Sequence, residues 1–190
     1  MRNLFKWLMV GLVTIPGSSA SIIQTEPTTE ASIEEVEIEV ETLMGSNLNP
    51  TEKKVLDFFI ERGIKDKMAL AVLLGNIKQE SLFITNICEG GARVPYHRCH
   101  SGGFGLIQWT TTGRYGGLGR HANNIGGDPS TLETQLSYLV TEPEWLSIEH
   151  KFKKEGQGMS YYMNAAYRWL GWGVHGNRTH YSHRYYANMG

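Results

Sequence analysis

Only two cysteines occur among 190 residues, and no basic residue occurs anywhere in 21–47. Two cysteines exclude a disulfide-dense scaffold and leave one possible internal bridge. A strong charge of either sign is also missing: the formal net charge is −1. That balance hides an asymmetry. Residues 1–20 carry Arg2 and Lys6, residues 21–47 carry seven glutamates, and residues 48–190 carry sixteen Lys and Arg against twelve Asp and Glu. A body at +4 is far from a nucleic-acid-binding signature, so no nucleic-acid partner is expected. No internal repeat is present, and a chain of this length suits one well-buried domain with a short extension.

Long apolar runs are absent too. The longest, "WLMVGLVTI" at 7–15, is short of the roughly 20 residues a spanning helix needs. With Arg2 and Lys6 before it and "GSSA" after it, residues 1–20 read as a signal peptide cleaved after Ala20; an uncleaved anchor is the alternative. The body is therefore expected in a secreted or periplasmic location, touching a membrane only through this segment. In an oxidising space Cys88 and Cys99 are expected to pair. The other reading of that region is a zinc set of Cys88, His97, Cys99 and His100. Its spacing departs from common zinc patterns, so no metal or other cofactor is expected. Residues 21–47 read as an acidic, self-repelling and disordered linker. The alternation at Val36, Ile38 and Val40 leaves an edge strand as the alternative.

A folded domain is expected over 48–190. Asn49-Pro50-Thr51 with Glu52 suits a helix start, and Gly63 can end that helix. A second helix is expected from Asp66 through "KMALAVLLGNIKQES", a third over 131–142, and a fourth over 160–170 capped by Ser160. Between 88 and 128 the chain is rich in glycine and turns, and it reads as holding a small hairpin. The result is an α+β fold, mainly helical.

On the second helix, Leu70, Leu73, Leu74 and Ile77 fall on one stripe, and Glu80 lies about 20° from Leu73. A carboxyl at that margin is partly desolvated, which raises its pKa and lets it hold a proton for donation. The plain alternative is a boundary glutamate pairing with Lys78 or an arginine. Downstream, "SGGFGLIQWTTTGR" (101–114) sets Gly102, Gly103 and Gly105 where backbone runs close to a packed helix or a ligand. Gln108 and Trp109 follow, an amide and a flat aromatic suited to gripping sugar rings. A core hairpin strand would read the same way.

Taken together, "LGNIKQES" (74–81), "GGFGLIQWT" (102–110), Gly113-Arg114 and "TQLSYL" (134–139) resemble the lysozyme-like superfamily, and most closely the phage tail lysozyme family. The resemblance spans roughly 50–190. It implies cleavage of peptidoglycan glycan strands by a lysozyme-like fold with a small hairpin lobe and a helical lobe. Glu80 would be the catalytic acid at the helix end, and Gln108 would line the cleft with Trp109 and Gly105 beside it. Glu89, nine residues after Glu80, is the candidate second carboxylate, ahead of Asp128. The family usually follows its Glu-Ser with Gly-Phe-Asn-Pro; here Leu82-Phe83-Ile84-Thr85 keeps only the phenylalanine. The reaction expected is that of a muramidase, hydrolysing the β-1,4 bond between N-acetylmuramic acid and N-acetylglucosamine. A lytic transglycosylase using Glu80 alone is the alternative, with Tyr167 of "NAAYRWLGWG" near the acid, although a core tyrosine fits that spacing as well. A cell-wall-binding module without activity is the third reading. Peptidoglycan is the expected partner, a monomer the expected state, and association with a virion is open. Trp172, Arg184 and Tyr186 of the tail could wall a saccharide cleft or belong to a packed final helix.

Overall fold

The computed structural model describes residues 48–100 and 103–189. The expected signal peptide (1–20) and acidic linker (21–47) lie outside the described residues, as do Ser101 and Gly102. Among the described residues eight α-helices follow in order: α1 (Pro50–Glu61), α2 (Lys67–Ser81), α3 (Thr112–Ile125), α4 (Leu132–Leu139), α5 (Pro143–Leu146), α6 (Glu149–Phe152), α7 (Met159–Leu170) and α8 (Arg178–Asn188). Among the described residues no helix is long and apolar enough to cross a membrane.

The first two helices begin where their capping residues say they should. Asn49 accepts from the amides of Thr51 and Glu52, and the Glu52 carboxylate accepts from the Asn49 amide, a reciprocal capping box. Gly63, at φ +86°, turns the chain after α1. Asp66 caps α2 through the Ala69 amide and ties in a distant loop through the Gly156 amide at 2.7 Å.

The stripe expected on α2 is too narrow. Residues 69–77 are all buried, on every face, because α2 runs through the middle of the domain with α1, α7 and α8 packed around it. A helix apolar all round belongs in a core. Its closest neighbour is α8: a Cβ on Gly75 would lie 2.4 Å from Ser182 Oγ and 2.6 Å from its amide nitrogen. An aromatic section of the same core joins Phe59, Trp145, Phe152, Tyr162 and Trp169 through ring contacts. Its two short helices, α5 and α6, carry no strong pattern in the sequence.

Three expectations need correction. Residues 112–125 form a helix, not a turn-rich stretch. Thr111 caps it through the Arg114 amide, and its glycines sit where other chains press in. A Cβ on Gly117 would lie 2.1 Å from Tyr138 Oη, and one on Gly119 2.7 Å from Tyr96 Oη. Tertiary packing outweighs the poor helix propensity of glycine here. The hairpin lobe is not seen as such: among the described residues there is no strand, only isolated antiparallel bridges at Ile87–Arg93, Cys88–Phe104 and Phe104–Trp109. The Gly90-Gly91 turn and the turn at 105–108 reverse the chain before a ladder can lengthen. Finally, α7 starts after Gly158, with Ser160 inside its first turn.

Helix α2 ends on Leu82 at φ +52°, followed by Phe83 at φ +63°. Left-handed backbone suits glycine and costs a branched residue roughly 1–2 kcal/mol. Leu82 is exposed, so little burial offsets that cost. Leu82→Gly should therefore stabilise the domain by about 0.5–1 kcal/mol, the relief exceeding the entropy glycine adds to the unfolded chain. Urea unfolding of the two proteins checks this, and a less stable variant would show that the Leu82 side chain contributes more than its exposure suggests.

Candidate active site

Glu80 occupies the last turn of α2 with 15 % of its side chain exposed. Ser81 beside it is buried, and its hydroxyl donates to the Leu106 carbonyl at 2.8 Å while accepting from the Phe83 amide at 3.1 Å. The helix end is thereby fastened to the Gly103–Trp109 loop. That loop is clamped from its other side by Gln135 of α4, a fully buried amide. Gln135 Oε1 accepts from the Leu106 amide at 2.8 Å. Its Nε2 donates to the carbonyls of Thr85 at 2.6 Å and Pro129 at 2.8 Å. Gly105, at φ +73°, has no room for a Cβ, which would lie 2.6 Å from Gln135 Nε2. Its close approach is to this protein amide.

The loop's other residues divide. Gln108 is half-buried at φ +54°, and its Nε2 donates to the Gly105 carbonyl at 3.0 Å and towards Ile87 at 3.4 Å. Trp109 is wholly buried and packs against Tyr138. A ring with no exposed face cannot stack on a sugar, so the stacking role expected of Trp109 does not fit its position.

On the opposite side Glu80 meets Arg178, the first residue of α8, in an ion pair. Arg178 is 3 % exposed. Its Nη1 donates to the carbonyls of Val174 at 3.2 Å and His175 at 2.9 Å, and its guanidinium lies 4.4 Å from the Trp172 ring centre. Tyr167 meets Trp172 edge-on at 5.1 Å, and His175 does so at 5.9 Å. The 171–177 loop is also pinned to α2 by Gln79, whose Oε1 accepts from the Asn177 amide at 2.7 Å. Burial pushes the Glu80 carboxyl up; Arg178, and more weakly Arg114, pull it down, and the net direction is upward. Arg114 is itself forked onto Glu142, at 2.7 and 2.9 Å, and Glu142 is buried.

Glu89 is exposed on the Gly90-Gly91 turn, its amide donating to the Gly103 carbonyl at 2.7 Å. Cys88 next to it is bonded to Cys99, as expected. Among the described residues no cluster of three or more His, Cys, Asp or Glu could hold a metal ion. Asp128 makes a turn, its carboxylate accepting from the Ser130 amide at 2.8 Å. Tyr167 is 53 % exposed, so the core-tyrosine alternative is wrong. Of the tail residues, Trp172 joins the Glu80 centre through Arg178. Arg184 instead lines a pocket with Glu52, Lys78 and Tyr181, and Tyr186 lies under the Lys67 ammonium at 4.5 Å.

Sequence reasoning missed Arg178, Glu142 and Gln135 as parts of the site. Gln135 and Arg114 do fall inside the quoted stretches "TQLSYL" and Gly113-Arg114, which was the available signal. Arg178 lies 98 positions from Glu80, and no local pattern marks it.

The family model for phage tail lysozymes matches residues 50–189. Neither the curated proteins nor the solved structures give a match.

The Cys88–Cys99 bridge closes a loop with a sequence separation of 11 that includes the turn carrying Glu89. Replacing both cysteines with alanine should lower the unfolding free energy by about 3 kcal/mol on the chain-entropy account. Denaturant unfolding of the double variant measures it. A change below about 1 kcal/mol would mean that the loop is held closed by its other contacts.

Proposed function

The chain belongs to the phage tail lysozyme family, and from its peptidoglycan-lytic, lysozyme-like function we propose the finer reading of a muramidase with Glu80 as general acid. The observation that carries this is the position of Glu80: at a helix end, mostly desolvated, with its carboxyl shifted upward by burial. A carboxyl so placed holds its proton closer to neutral pH and donates it to the leaving glycosidic oxygen. Positive charge then develops on the sugar ring, and a second carboxylate meets it as nucleophile or as base for water. Glu89 is the proposed partner, on the strength of the family's spacing. Glu142 is unsuited to that task, since both its oxygens are taken by Arg114.

Substrate contacts are proposed for Gln108, Tyr167 and Trp172. The last two offer an exposed and a part-exposed ring in contact with each other and linked to Glu80 through Arg178. A stacked aromatic takes the apolar face of a sugar. Trp109 and Gly105 are left out, because one is core and the other is packed on Gln135. Peptidoglycan is the substrate, and the site of action is the cell wall, reached from a virion or by export.

One observation favours a second reading. Tyr167 is exposed, with a single aromatic ring between it and Arg178. A tyrosine near the acid suits a lytic transglycosylase, in which the sugar's own hydroxyl attacks and no second carboxylate is required. Mass spectrometry of the released muropeptides separates the two, since only the transglycosylase leaves 1,6-anhydro ends.

Glu80→Gln should lower the digestion of purified peptidoglycan by at least about 10²-fold, with the thermal melt retained. Digestion at the wild-type rate would remove Glu80 from the mechanism. Binding to sacculi with no digestion by the wild type itself would leave a cell-wall-binding module.

A further inference from the structure

Two arginines act on Glu80, and their situations differ. Arg114 is neutralised by a bidentate bond to the buried Glu142, so much of its charge is already balanced where it stands. Arg178 has no second carboxylate among the described residues: its other acceptors are the carbonyls of Val174 and His175. Its Nε is buried without a hydrogen-bond partner, so neither bulk water nor a counter-charge other than Glu80 screens it well. A charge buried in this way acts on its neighbour with little attenuation by salt.

The fork does not choose its orientation alone. The Trp172 ring lies under the guanidinium, its centre 4.4 Å from the guanidinium carbon, a contact that attracts an arginine and favours its place over the ring. Trp172 is in turn braced edge-on by Tyr167 and His175, and the His175 ring bonds Thr179 at 2.8 Å. Gln79, through the Asn177 amide, holds the near end of the same loop against α2. The remaining charge on this turn of α2, Lys78, points elsewhere, onto Glu52 at 3.1 Å.

We propose that Arg178 is a positioning residue that fixes the Glu80 carboxyl and sets its proton affinity, and that Trp172 acts on the acid through Arg178. The inference rests on Glu80 being the proton donor. Removing the buried cation leaves Glu80 with burial and a neutralised Arg114, so it keeps its proton to higher pH. The alkaline limb of the pH–activity profile, which reports the acid of the free enzyme in kcat/KM, therefore moves upward. A purely structural role for Arg178 would lower activity at every pH and leave that limb in place.

The experiment is the pH dependence of kcat/KM on soluble peptidoglycan fragments for wild type, Arg178→Gln, Arg178→Lys, Trp172→Leu and the Arg178→Gln/Trp172→Leu pair. Arg178→Gln should shift the alkaline limb up by about one pH unit, the lower end of what an adjacent opposite charge produces. Arg178→Lys should restore most of the wild-type position, since it keeps the charge. Trp172→Leu should shift the limb the same way by less, and should add nothing to it on top of Arg178→Gln. An unmoved limb in Arg178→Gln overturns the proposal, and full additivity in the pair overturns the part assigned to Trp172. Where Arg178→Gln does not fold, Trp172→Leu decides alone: an upward shift supports the proposal and an unmoved limb overturns it. Glu80→Gln is run beside them. Activity retained there refutes the role of Glu80 itself, whereas loss there with an unmoved limb in Arg178→Gln refutes only this inference.

Discussion

Gly75 has no Cβ, and helix α8 uses the space. With Ser182 backbone seated against it, the last helix lies closer to the central helix than any side chain would allow. The registry follows from that contact. One turn further along α2, Gln79 reaches the Asn177 amide and Glu80 meets Arg178. An alanine at position 75 would meet Ser182 at less than van der Waals distance, and pushing α8 outward would separate the acid from its cation. A helix–helix contact a turn and a half away from the site thus sets what the site can do.

The other flank of Glu80 depends on hydrogen bonds rather than on close packing. Ser81 and Gln135 both hold Leu106, one by its carbonyl and the other by its amide. Buried amides and hydroxyls of this kind are costly to orphan, so the helix end, the glycine loop and α4 stand or fall as a unit. This gives a physical reason why the stretches around Glu80, Gly105 and Gln135 occur together in one chain. They are three sides of one clamp. Phe83 and the left-handed Leu82 then lead the chain away towards the Cys88–Cys99 bridge and the turn that carries Glu89.

Local chemistry was readable from the sequence, and distant contacts were not. Asn49 and Asp66 announce the starts of α1 and α2, and helical spacing marks Glu80 as partly desolvated at the end of α2, as it is, although α2 is buried on every face over 69–77 and not along one stripe. The paired cysteines were legible from their number and from the export expected of the N-terminal segment. Helix α3 was hidden because its glycines look like turn residues until Tyr138 and Tyr96 are seen pressing on them. Trp109 was misread for a related reason: a tryptophan after a glycine loop can face solvent or core, and the sequence carries no sign of Tyr138 behind it. Arg178 had no signal, since the approach of α8 to α2 is set by shape at Gly75 and Ser182. Glu80 does pair with an arginine, the plain alternative, while burial pushes its carboxyl upward against that pair.

Those two facts pull against each other, and the balance between burial and Arg178 decides whether Glu80 serves as an acid. Carboxyl carbon NMR on glutamate-labelled protein, with Glu80→Gln to assign the resonance, measures that balance directly. Burial exceeding the pull of Arg178 predicts a Glu80 midpoint above that of an ordinary exposed glutamate. A midpoint below it would mean that the ion pair keeps Glu80 charged, and would contradict its role as the proton donor.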